Sequence, residues 1–266
     1  MKQPLIAEVA SILNELYPVN LSQDWDVNGL NVGKLDQSVN KILFTVDVTE
    51  EVVEQAIFEK ADLIVSHHPL LLNPVSIISE ETFKGKIVAK LNRANIALFN
   101  AHTNADAALG GVNDALAQIL GLNNVKPIND SGIGRYGNLS GEVTLSDFAE
   151  KVKQLLPANS SGVLVSGDLQ AIVATVAVCG GAGDSLLAEV RELAVDVYLT
   201  ADLRHHPVQD NKEMQGPALI SVSHWASEWP WLERCQAALN QELSNRGFSV
   251  ESKVSKINTD PWDAAL

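Results

Sequence analysis

The sequence predicts an α/β protein made of two similar domains related by internal duplication, and three observations carry that reading. Strand-length apolar runs alternate with segments of helical period in both halves of the chain. A histidine pattern is written twice: residues 62–66 run into His67-His68-Pro69 and residues 97–101 into His102 and Asp106, then residues 196–200 precede His205-His206-Pro207 and residues 218–223 precede His224 and Glu228. At 266 residues, with 46% hydrophobic and 20% charged composition, the chain is long enough to enclose two cores.

Residues 3–17 have helical period and stop at Pro18, and the segment 24–33 is a turn punctuated by Gly29 and Gly33. Residues 42–46, 50–60 and 63–65 read as strand, helix and strand, a βαβ unit. A helix over 83–93, a strand over 96–99 and a helix over 112–120 follow. The stretch 121–137, rich in Asn and Gly, lacks periodicity and reads as a linker, which divides the chain into domains 1–130 and 131–266. In the second half a strand at 139–143 and a helix at 145–156 precede a repeat of the first unit: strand 172–178, helix 183–193, strand 195–199.

The net charge of −14 opposes binding to nucleic acid or to an anionic membrane, because either partner would be repelled by most of the surface. The apolar run 171–179 is too short to span a bilayer, and the N-terminal stretch carries Glu8 inside an amphipathic pattern, unlike a signal peptide. Cys179 and Cys235 are far apart and form neither a disulfide framework nor a thiolate site, as expected for a cytoplasmic protein.

All six histidines lie inside the repeated pattern, and imidazole with carboxylate at strand ends is the donor set that borderline divalent cations prefer. His67 and His68 are neighbours leaving an extended segment, so their rings point to different sides and serve two adjacent ions better than one. His102 with Asp106 and His224 with Glu228 stand at i and i+4, so each pair shares a helical face. A carboxylate there adds negative charge and can bridge two cations. The metal ligands expected are His67, His68, Asp106, His224 and Glu228, holding two divalent ions, with zinc, iron, manganese, cobalt and nickel all compatible. His102 is the candidate for proton transfer. His205 and His206 lie beyond their strand and suit a supporting or substrate-contacting role. The glycines at 180, 181 and 183 open a βα turn that can receive phosphate or can serve only the steric needs of the turn.

Several motifs in order resemble one family: Trp25-Asp-Val-Asn-Gly-Leu30, Asp47-Val-Thr49, Ser66-His-His-Pro69, His102-Thr-Asn-Ala-Asp106, Gly110-Gly-Val-Asn113, Cys179-Gly-Gly-Ala-Gly183, Thr200-Ala-Asp202 and His224-x-x-x-Glu228. They are similar to the Nif-three-like family, often labelled GTP cyclohydrolase I type 2 homologues, over almost the whole chain. The resemblance implies two similar three-layer α/β domains, a dinuclear metal centre on the five ligands named above, and a toroidal homohexamer. It also implies a hydrolase acting on a nucleotide or related small heterocycle; the alternative is a metal-binding scaffold without turnover. Val27 departs from the family pattern by separating Asp26 from Asn28.

Overall fold

A computed structural model describes residues 2–266. Its secondary structure forms two sheets, each belonging to one of two compact units: residues 1–108 with 232–259, and residues 109–231 with 260–266. The chain therefore changes unit three times, where the sequence reading placed one boundary at residue 130.

The first unit opens with α1 (Ile6–Leu16), whose Ile6, Val9, Ile12 and Leu13 are buried on one face. Strand β1 (Gly29–Val32) follows, then β2 (Lys41–Thr45), α2 (Glu50–Phe58) and β3 (Leu63–Ser66). The hydroxyl of Thr49 caps α2 by accepting from the Val52 amide. Helix α3 (Phe83–Ala94) leads to β4 (Ala97–Asn100) and the short α4 (Thr103–Ala107). Asn95, at φ 55°, takes the left-handed conformation that stops α3. Strands β2, β3 and β4 are parallel and in register at Thr45, Ser66 and Asn100, while β1 runs antiparallel on β4. Their runs of buried residues are those of strands covered on both faces, and Leu43, Ile64 and Leu98 pack with Val52, Val53, Ile87 and Leu91 in one core.

The second unit contains α5 (Val112–Ile119), β5 (Asn123–Pro127), β6 (Arg135–Thr144), α6 (Leu145–Leu155) and β7 (Leu164–Ser166). It continues with β8 (Ile172–Ala182), α7 (Leu187–Glu192), β9 (Val197–Ala201), α8 (His205–Glu213), β10 (Ala218–Val222) and α9 (His224–Glu228). The segment 121–137, read as a linker, contains β5 and the start of β6, an antiparallel pair. Its exposed polar side chains hide the strand from a hydrophobicity pattern, because backbone pairing at an edge needs no apolar face. Strands β8, β9 and β10 are parallel, with β7 antiparallel on β10 and β6 antiparallel on β8. Ala177, Cys179, Val190, Tyr198 and Leu219 share the core. Arg135 is buried and donates from Nε to Asp114 Oδ1 at 2.8 Å, so its charge is compensated inside the unit.

Helix α10 (Pro230–Asn245) and strand β11 (Glu251–Val254) return the chain to the first sheet, where β11 pairs parallel with β2. The first sheet thus reads β1-β4-β3-β2-β11 and the second β5-β6-β8-β9-β10-β7. The duplication is visible in topology: β2-α2-β3-α3-β4 with antiparallel β1 matches β8-α7-β9-α8-β10 with antiparallel β7. In both, a helix of five residues follows the third parallel strand, with His102 immediately before the first and His224 opening the second.

Candidate metal-ligand groups

In the first unit the ligand residues follow the carboxyl ends of β3 and β4. The parallel ladder extends past the strand ends, since the His67 and His68 amides donate to the carbonyls of Thr45 and Val46 and the Ala101 amide to that of Ser66. These bonds fix the backbone from which the three imidazoles project. Ring centroids of His67 and His68 are 5.0 Å apart, and His102 stands 5.3 Å from the first and 5.5 Å from the second. One ligand atom from each of the three lies within 4.8 Å of the others, so the group could hold a metal ion. Asp106, on α4, brings Oδ1 to 3.7 Å from His67 Nε2. The sequence pattern paired Asp106 with His102; the fold turns its carboxylate toward His67.

The tautomers follow from the hydrogen bonds. His67 Nδ1 meets the Ala101 carbonyl at 2.9 Å, His68 Nδ1 meets Asp47 Oδ1 at 2.7 Å, and His102 Nδ1 meets Asp26 Oδ1 at 3.1 Å. Each partner only accepts, so Nδ1 carries the proton and Nε2 presents a lone pair. A carboxylate or carbonyl behind the ring is the support that metal-binding histidines need, because it fixes orientation and raises basicity. The donor set therefore fits a divalent cation.

Asp26 is itself held. Burial works against its charge, yet hydrogen bonds from His102, Thr103 and Asn28 keep its carboxyl well below the usual carboxylate range. Asn28 Oδ1 accepts from the His102 amide at 2.7 Å and from Asn100 Nδ2 at 3.0 Å. The extra Val27 thus leaves Asn28 in contact with the histidine loop.

In the second unit His224 opens α9 and Glu228 lies one turn later, with His224 Nε2 3.0 Å from Glu228 Oε1. Ser223 caps this helix by accepting from the Ala226 amide. His224 Nδ1 meets Asp202 Oδ2 at 2.6 Å, which repeats the carboxylate-imidazole arrangement of the first unit. The Glu228 charge, opposed by burial and joined by Asp202, raises the His224 pKa to about 11. In the metal-free protein a proton bridges these groups, at the nitrogen where a cation would bind.

Gly181, at the end of β8, has φ +69°, and a β-carbon there would stand 2.5 Å from Glu228 Oε1 and 3.0 Å from His224 Nε2. Only glycine leaves room for the pair. The amides of Gly180 and Gly181 donate to Asn113 Oδ1 and Ser227 Oγ, each at 2.9 Å. The glycine turn serves helix docking and ligand packing, and those two amides do not point to a phosphate.

His205 and His206 meet edge to face, with ring centroids 5.2 Å apart, in the exposed first turn of α8. They support none of the ligand histidines by any contact seen here. Asp202 does that work, and sequence reasoning missed it together with Asp26 and Asp47. A signal was present: each acid lies in one of the short motifs, Trp25-Asp-Val, Asp47-Val-Thr and Thr200-Ala-Asp. Cys179 and Cys235 are buried and form no disulfide among the described residues.

The family model for Duf34/NIF3, NGG1p interacting factor 3, matches residues 4–261. A Streptomyces coelicolor protein called GTP cyclohydrolase 1 type 2 homolog is 44% identical, over 98% of this chain and 94% of its own. A Clostridium perfringens protein of the same description is 34% identical, over 96% and 98%. The crystal structure of a Bacillus cereus protein related to NIF3 superposes with a TM-score of 0.92 at 27% identity, covering all of both chains.

Proposed function

The chain belongs to the Duf34/NIF3 family, and from that premise we propose that it is a divalent-metal-dependent hydrolase acting on a nucleotide or related small heterocycle. Two ions are held by His67, His68, Asp106, His224 and Glu228. The observation that carries this reading is the shared orientation: all four histidines bind an acceptor through Nδ1 and direct Nε2 away from it.

Divalent cations bound by these residues would lower the pKa of water and polarise the electrophile. The chain's own groups do the rest. His102, oriented by Asp26, holds or takes a proton at Nε2 during hydrolysis. Asp47 and Asp202 hold the rings of His68 and His224. The description GTP cyclohydrolase 1 type 2 homolog, printed for the relatives, points to guanine nucleotides as the first substrates to try. The chain acts in the cytoplasm, a reading supported by its two isolated cysteines, which form no disulfide framework; among the described residues no helix is long and apolar enough to cross a membrane. It assembles as a toroidal homohexamer.

The test is turnover of GTP and pterin precursors by protein of defined metal content. His102→Ala should keep its metal and lose about 10²–10⁴ in rate, the contribution expected of a proton-transfer group. If that variant loses metal instead, His102 is a ligand. If fully metallated wild type turns over none of these compounds, the hydrolase reading gives way to a scaffold.

A further inference from the structure

We propose that Trp25 is the stacking platform for the substrate's planar ring, the residue through which this site recognises a heterocycle and not merely a phosphate chain. The inference rests on the nucleotide reading above.

Trp25 and Val27 are 60% and 75% exposed, while Asp26 between them is turned inward. A large apolar side chain left in water is unremarkable on a mobile loop. This loop is held from below by a dense set of bonds. Asp26 Oδ2 accepts from the Thr103 amide at 3.1 Å and from its hydroxyl at 2.6 Å, and Asp26 Oδ1 meets His102. Asn28 bonds Ser22, Asp26 and the His102 amide, and the Gln23 amide donates to Thr103 Oγ1 at 3.0 Å. The indole is therefore presented at a fixed place.

That place is the rim of the imidazole cluster, where the Trp25 ring lies 5.8 Å from His102 with its plane turned by 73°. The edge-on arrangement spends the indole's contact with His102 along one side and leaves its exposed surface for a second ring. A purine, pterin or similar heterocycle offers a π-face to it; a sugar or phosphate chain does not. Because the loop is already ordered, stacking costs little additional conformational freedom.

Calorimetric titration of metal-loaded protein with GTP and with inorganic triphosphate tests the proposal, with metal content and light-scattering mass measured for every variant. Wild type should bind GTP more tightly than triphosphate. Trp25→Ala should lose about 5- to 100-fold in GTP affinity and keep its affinity for triphosphate, its metal and its mass, whereas Trp25→Phe should stay within a few-fold of wild type. Equal GTP binding by wild type and Trp25→Ala overturns the proposal, as does a parallel fall for triphosphate or a change of mass, which would make Trp25 a structural or subunit-contact residue. Equal affinity of wild type for GTP and triphosphate overturns it too, but leaves the metal-dependent hydrolase reading standing. Binding of neither compound by wild type overturns both.

Discussion

Three carboxylates that touch histidines, Asp26, Asp47 and Asp202, define the chemistry of this protein at the scale of single residues as firmly as the ligands do. An imidazole whose Nδ1 is free can rotate or present the wrong tautomer; one bonded to a carboxylate at 2.6–2.7 Å, as His224 and His68 are, presents a fixed and more basic Nε2. Removing the carboxylate leaves the ligand in place and spoils its aim. Asp47→Ala and Asp202→Ala should each weaken metal binding about 10- to 100-fold, read by competition with a chromophoric chelator. Affinities equal to wild type would show that the rings are oriented by packing alone. A pH effect follows from His224, whose pKa is raised to about 11 with Glu228 as the largest cause. In the metal-free protein its charge favours the folded state fully below the ordinary histidine value of about 6.5, and that contribution is lost as pH rises through about 11. Metal entering at Nε2 must displace this proton, so titration near neutral pH in buffers of different ionisation heat should show a proton released in wild type and one fewer in His224→Ala. Identical release by both proteins would exclude His224 from the metal.

At the scale of elements, the site is a consequence of register. Ser66 pairs with Asn100 in the first sheet and Ala201 with Val222 in the second, so the residue after the end of the middle parallel strand, β3 or β9, falls at a matched position. That position holds His67 in one unit and Asp202 in the other: one copy supplies a proposed ligand, the other a carboxylate bonded to the imidazole of another, His224. This explains what sequence reading recovered. The βαβ units and the i, i+4 pair of His224 and Glu228 were legible because hydrophobic period and spacing are local. The linker reading of 121–137 failed because β5 is an exposed edge strand, and the single domain boundary failed because β11 pairs with β2 more than 200 residues away. The supporting acids were missed because an acid beside a strand end looks like a turn residue until its partner's position in space is known. Gly181 shows the same coupling of element to site. Gly181→Ala places a methyl 2.5 Å from Glu228 Oε1 at φ +69°, so it should lower stability by about 1–2 kcal/mol for the left-handed backbone and reduce metal content. Gly141→Ala in β6, where a β-carbon meets nothing within 4 Å, is the control and should change neither. Chemical denaturation and elemental analysis decide it, and a metal-replete Gly181→Ala would contradict the steric role assigned to that turn.

For the whole molecule the question is what would let a chain of net charge −14 form the homohexamer proposed above. Like-charged copies repel, and the repulsion is long-range at low ionic strength but confined to about 8 Å at physiological salt. Contact between copies therefore needs apolar area to offset the residual repulsion. The first unit offers it after His68-Pro69, where Leu72, Ile77, Ile78 and Phe83 are all exposed, an unusual concentration for one short stretch of surface. If the proposed homohexamer uses this stretch, light scattering at micromolar concentration and about 0.15 M salt should report six times the chain mass. Lowering the salt strengthens repulsion without touching the apolar contacts, so the average mass should fall. Ile78→Asp and Phe83→Asp should lower it further, because each puts a carboxylate into the area that must be desolvated. These substitutions lie outside both donor sets, so metal content per chain should be retained in them. A chain-sized mass for wild type at about 0.15 M salt would remove the ring, and an unchanged sixfold mass in both aspartate variants would move the subunit contact to another face.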